Sequence, residues 1–202
     1  SRMDFMQAIY KKAKSIKSAP GALQVGWHIW HNVSFSPFHR AEVDYGAMVP
    51  FSDYIKPVLY SNCAGERMKS FTNSVAQNIF GDVPPDKLLD VLYDMLNYTQ
   101  EAPYAQVTQT GFSADYVQRE TRRCADDVAA AGGPNVEVWP GIDIDVPVPR
   151  GASACTPEKI QAAILGAFKG GAGGVVLSRN FSEMKPDHLA AAAGALRELG
   201  YM

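Results

Sequence analysis

Hydrophobic positions alternate between two periods along the chain. Over 4–18, Phe5, Ile9 and Ala13 share one helical face opposite a lysine-rich one, and the pattern stops before Pro20-Gly21, so the chain opens on a predicted helix. The period then shortens to two over 23–31 and again over 54–60, 136–142 and 174–178, which predicts four strands. Helical patterns over 69–79, 86–96, 113–131, 157–169 and 185–199 lie between and after them. Strand followed by helix, four times, predicts a parallel α/β fold.

The turns point to a barrel rather than an open doubly wound sheet. No strand is followed by a G-x-G-x-x-G turn; each ends instead in a polar or aromatic cluster, WHN, YSNCAGER, DID and SRNFSE. The glycine run 170–174 precedes the last strand, on the side opposite such clusters, and reads as a tight turn. A closed barrel takes eight strands and about 250 residues, so four strands and a leading helix predict the C-terminal half of a TIM (β/α)8 barrel. The 202 residues form one domain, in which 61–134 is an enlarged helical βα crossover. Four open strands leave two unpaired edges, so the partner expected is the missing N-terminal half of the same protein or another copy of the chain.

Strand parity sorts the side chains into an outer, helix-facing set and an inner set. Gln24, Gly26, His28 and Trp30 face inward from the first strand, and Lys56, Val58 and Tyr60 from the second. The third strand turns Glu137, Trp139, Gly141, Asp143 and Asp145 inward, and the fourth Gly174, Val176 and Ser178. Two acids therefore reach the mouth on one strand.

Composition narrows the partners. The chain is 47% hydrophobic, enough for a sizeable core, and 19 Lys+Arg against 21 Asp+Glu give a net charge of −2 without a charged run. Neither nucleic acid nor membrane is an expected partner, since no apolar stretch reaches about 18 residues. Residues 1–17 lack the apolar core of a signal peptide, so location stays open, and an extracytoplasmic bacterial setting is compatible with a signal further upstream. Cys63, Cys124 and Cys155 cannot all pair and lack C-x-x-C spacing, which argues against a disulfide framework or structural zinc. His28 and His31 fall on opposite strand faces, so no metal or other cofactor is expected.

The candidate chemistry lies at the strand ends. Asp143 and Asp145, with Glu66 and Glu183, put carboxylates at three of them, the material for paired acid/base work on a glycosidic bond. The bland alternative is an aspartate that caps a loop or pairs with Arg179 or Arg67. His28, Trp30, Tyr60, Trp139 and Arg179 are the candidate substrate-binding residues, aromatic faces being suited to the apolar faces of sugar rings. His188, on the terminal helix, reads as a surface residue.

The segments GWHIWHNVSFSPFHRAEVDY, IKPVLYSNCAGERM, FSADYVQRETRRC, VWPGIDIDVP and GGVVLSRNFSEMKPDHLAAA together resemble the C-terminal half of a group of uncharacterised bacterial glycoside-hydrolase-like (β/α)8 barrel proteins, over nearly the whole chain. The resemblance implies a carbohydrate-active barrel with its site at the strand C-terminal ends. The pattern departs from the large retaining glycosidase clan, whose nucleophilic glutamate ends the seventh strand, where this chain has Asp143 and Asp145. The leading expectation is a glycoside hydrolase acting on an oligo- or polysaccharide, with Asp143 opening into a pocket beside Trp139 and Tyr60. Its alternatives are a carbohydrate-binding barrel without turnover, and a metal-dependent hydrolase using His28 and Asp143.

Overall fold

The computed structural model describes residues 2–16 and 23–201. Its elements run α1 (Arg2–Lys14), β1 (Gly26–Ile29), α2 (Asn32–Phe35), α3 (Pro37–Ala41), α4 (Tyr45–Met48), a 3-10 turn at Val49–Phe51, and β2 (Tyr54–Pro57). Then follow α5 (Ser61–Asn78), α6 (Pro85–Leu96), α7 (Val107–Thr110), α8 (Ala114–Ala130), β3 (Glu137–Val138) and β4 (Gly141–Asp143). The chain closes with α9 (Pro157–Lys169), β5 (Val176–Ser178), a 3-10 turn at Phe181–Glu183, and α10 (Pro186–Glu198). The fold is α/β with parallel strands.

The strands lie side by side in chain order. β1 pairs with β2 and β2 with β3, all parallel, and β4 pairs with β5 in the same sense. β3 and β4 are one strand interrupted at Pro140, which has no amide hydrogen to donate. The ladder is carried across the break by the parallel Val58–Gly141 bridge and by the Leu59 amide donating to the Gly141 carbonyl at 2.9 Å. Each strand is shorter than its alternation predicts. The first stops at Ile29 because Trp30 and His31 already turn into α2, so His31 is not a strand residue facing away from His28 but the residue that precedes a helix.

One face of the sheet is covered by helices. Ile29, Ile55, Val138 and Ile142 are buried on it, against side chains such as Cys124 and Val128 of α8 and Ile160 and Ile164 of α9. The other face carries His28, Tyr54, Lys56, Glu137 and Trp139, all at least partly exposed. Glycines allow its large side chains to lie flat. A Cβ on Gly26 would sit 2.1 Å from the Tyr54 ring, and Tyr54 in turn stacks on Trp139 with centroids 4.7 Å apart. A Cβ on Gly141 would meet Lys56 Cε at 2.9 Å and Tyr60 Cε1 at 3.3 Å.

The helix starts explain how the strand ends are fixed. Thr156 caps α9 through its hydroxyl, which accepts from the Lys159 amide at 3.3 Å, and Pro157 opens the helix. Helix α5 has no such cap at Tyr60 and begins at Ser61, eight residues before the predicted start at 69. Its cap comes from another strand, as described below. Residues 17–22, the end of the predicted first helix and its Pro20-Gly21 stop, lie outside the described residues.

Candidate functional site

Both aspartates of the DID sequence serve helix N-termini. Asp143 Oδ2 accepts from the backbone amides of Asn62 at 3.1 Å and Cys63 at 3.2 Å, and Oδ1 from Asn62 Nδ2 at 3.4 Å, so it caps α5 from β4. It is 1% exposed, buried where the sequence expectation has it opening into a pocket beside Trp139 and Tyr60. Burial pushes its carboxyl up to about 6 in spite of these donors. Asp145 accepts from the Lys185 amide at 2.9 Å and faces His188 Nδ1 at 2.8 Å, at the start of α10. Burial works against its charge, but the Lys185 amide and His188 outweigh it and hold the carboxyl below its ordinary value. His188 is thereby buried rather than on the surface.

The two glutamates lie elsewhere. Glu183 is exposed and paired with Arg179 through two contacts, at 2.9 and 3.2 Å. Glu66 lies in the second turn of α5, half-buried, because that helix starts before it and not after it. Three of the four candidate carboxylates are thus already engaged by groups of the chain itself. Trp30, 57% exposed, packs its ring 5.0 Å from His39, whereas Trp139 lies on Tyr54 and donates from Nε1 to Glu137 at 2.9 Å.

The inner face gathers a different set. Lys56 Nζ donates to Ser178 Oγ at 3.4 Å, and the Ser178 hydroxyl also interacts with that of Tyr60. Arg67 and Arg179 act electrostatically on the Tyr60 phenol, whose pKa is nevertheless raised by burial. Arg67 is held by its Nη1 against His31 Nδ1 at 2.8 Å, and the His31 ring lies 5.5 Å from the Tyr60 ring. Burial lowers the Lys56 pKa, and burial followed by the Lys56 charge lowers that of His28.

No family model, characterised protein or solved structure matches the chain. The geometry therefore stands by itself. Of the five predicted binding residues, Tyr60 and Arg179 adjoin this cluster directly and His28 lies within reach of the Lys56 charge. Lys56, Ser178, Arg67 and His31 were not among the predicted site residues. Parity had already turned Lys56 and Ser178 inward. Arg67 could not be found that way, because its position depends on where α5 begins.

Behind the cluster lies a polar network with hardly a loose end. Arg67 can only donate, so Nδ1 of His31 accepts and Nε2 carries the hydrogen toward the Tyr116 hydroxyl at 3.2 Å. Tyr116 and Ser34 hydroxyls meet at 2.7 Å, and Ser34 returns a bond to the His31 carbonyl. Tyr98 and Arg40 both donate to the Ser34 carbonyl, and Glu120, 3% exposed, receives Arg40 at 2.5 Å and Arg123 at 2.8 Å. Only Nε of Arg40 is a buried side-chain polar atom without a partner among the described residues. Burial, then Arg67, keeps the His31 pKa well below its ordinary value.

Proposed function

We propose that this chain forms the C-terminal half of a (β/α)8 barrel in a glycoside-hydrolase-like protein and holds carbohydrate at the C-terminal ends of its strands. The supporting observation is the sheet itself: parallel strands neighbouring one another in chain order, helices against one face, and Tyr54, Trp139, Lys56 and His28 uncovered on the other. Chain-order parallel strands are the pattern of a singly wound barrel, whereas a doubly wound sheet reverses order part-way. Closing it takes further parallel strands against β1 and β5, from the rest of the same protein or from a second copy.

Glycoside cleavage needs two carboxyl groups about 5–5.5 Å apart for retention or about 6.5–9.5 Å for inversion, with a sugar between them. Asp143, Asp145 and Glu183 are each tied to helix amides or cations of this chain. That favours a binding role for this half, with Trp30, Tyr60 and Arg179 on the sugar side and any cleaving pair completed elsewhere.

A panel of neutral and acidic oligosaccharides, titrated against the purified chain and followed by tryptophan fluorescence and product analysis, tests this. Binding without turnover is the expected result, and Trp30→Ala weakens it. Absence of binding to every glycan overturns the carbohydrate reading. Turnover that falls by orders of magnitude in Asp143→Asn restores a hydrolase with Asp143 in its centre.

A further inference from the structure

The inner-face cluster has more positive charge than its own carboxylates answer. Asp143, the acid that acts on the Tyr60 phenol, spends both oxygens on the start of α5, and Glu183 is paired with Arg179. Among the described residues no carboxylate lies within ion-pair distance of Lys56 or Arg67. A half-buried ammonium with no counter-ion is costly, and proteins seldom leave one unpaired unless something else supplies the charge.

The surrounding groups suit an anion. Tyr60 and Ser178 bring hydroxyls to the same spot, and Gly141, whose Cβ would meet Lys56 Cε at 2.9 Å and Tyr60 Cε1 at 3.3 Å, lets both side chains pack side by side over the strand. Arg67 is no wandering surface arginine, since His31 Nδ1 fixes one of its nitrogens while the remaining donors of the guanidinium stay available. A point charge, an oriented guanidinium and two hydroxyls are the donor set of carboxylate and sulfate sites.

We propose that Lys56, Tyr60, Arg67 and Ser178 form the subsite for the anionic group of an acidic sugar, a uronate carboxylate or a sulfate ester. The assignment rests on the carbohydrate reading above and narrows its substrate class. Arg179 stands at the rim and is released to the ligand only when Glu183 lets go. Asp143 stays outside the contact, as the acceptor that fixes the end of α5 beside it.

Titration of the chain with sodium sulfate, glucuronate, a glucuronate-containing oligosaccharide and a neutral glucose oligosaccharide, followed by NMR, separates the two readings. The expected result is that glucuronate binds at least roughly tenfold more tightly than glucose, about 1.4 kcal/mol. Lys56→Met and Arg67→Gln each remove that preference, while Lys56→Arg retains most of it, with thermal melts showing that all three fold. Neutral oligosaccharide binding with no preference for glucuronate overturns the anionic subsite and leaves the carbohydrate reading standing. Sulfate binding without any sugar binding overturns the carbohydrate reading, and the acidic-sugar assignment with it. Glucuronate binding unchanged in both Lys56→Met and Arg67→Gln places the anion elsewhere and also overturns the proposal.

Discussion

Two polar clusters meet at the ring of Tyr60 and handle charge in opposite ways. Behind it, His31, Ser34, Arg40, Tyr98, Tyr116, Glu120 and Arg123 pass hydrogen bonds to one another with donors and acceptors matched almost atom for atom. In front of it, Lys56 meets the Ser178 hydroxyl on the open side of the sheet and Arg67 acts on the Tyr60 phenol, with no carboxylate in ion-pair distance of either among the described residues. The closed cluster chiefly stabilises, because its donors and acceptors are spent on one another save Nε of Arg40. The open one contributes little to folding and is available for binding. Arg67 belongs to both, anchored behind by His31 and free in front.

The largest expected effect is on the closed side. Glu120→Ala leaves the guanidinium groups of Arg40 and Arg123 without their shared acceptor and should cost about 3 kcal/mol of stability, read as a lower urea midpoint. A loss under about 0.5 kcal/mol would mean that water replaces the carboxylate freely and that the cluster is not closed.

Next comes pH. The unfolded chain protonates His31 near 6.5 but the folded chain resists, so the stability that neutral His31 contributes is complete above pH 6.5 and is lost as pH falls below it. The loss amounts to at most about 1.4 kcal/mol per pH unit. Asp143 runs the other way. Its carboxyl, raised to about 6, lets the folded chain take up a proton before the unfolded one does, so its contribution is complete below the ordinary aspartate value and lost as pH rises through 6. Urea midpoints of His31→Gln and the parent chain should therefore converge between pH 7.5 and pH 5.5, and those of Asp143→Asn and the parent should diverge in favour of the parent over the same fall. Parallel curves in the first pair would show that the folded and unfolded chains take up the His31 proton equally, against the lowered pKa.

The smallest expected effect on stability is at the open cluster. Lys56→Met removes an ammonium that no carboxylate answers and should shift stability by no more than about 0.5 kcal/mol in either direction. A loss of several kcal/mol would show that Lys56 has a partner in the folded chain and would erase the contrast.

The contrast also separates what the sequence could tell from what it could not. Helix α9 runs from Pro157 to Lys169 as predicted, because Thr156, Pro157 and Gly170 mark its ends locally. Strand parity placed Lys56, Tyr60 and Ser178 inward, because alternation is a property of each strand alone. Helix α5 begins eight residues before the start its periodicity predicts, since SNCAGERM has no local cap and its acceptor, Asp143, lies 81 residues downstream of Asn62. That one error moved Glu66 and Arg67 from a helix to a loop and left Asp143 looking like an acid without an occupation. His188 was misread for a similar reason: only the fold brings Asp145 against the start of α10. The short helices α2, α3 and α4 are too brief for periodicity to register, and with them went the position of His31.

The most direct measurement is the titration of Lys56 itself, followed by NMR of the chain after reductive ¹³C-methylation of its lysines, with Lys56→Arg to assign the signal. In the free chain the Lys56 midpoint should lie below that of an ordinary lysine, because burial opposes its charge and no carboxylate offsets it. Glucuronate should raise it and neutral glucose should not. A midpoint at the ordinary lysine value that neither sugar moves would contradict the account.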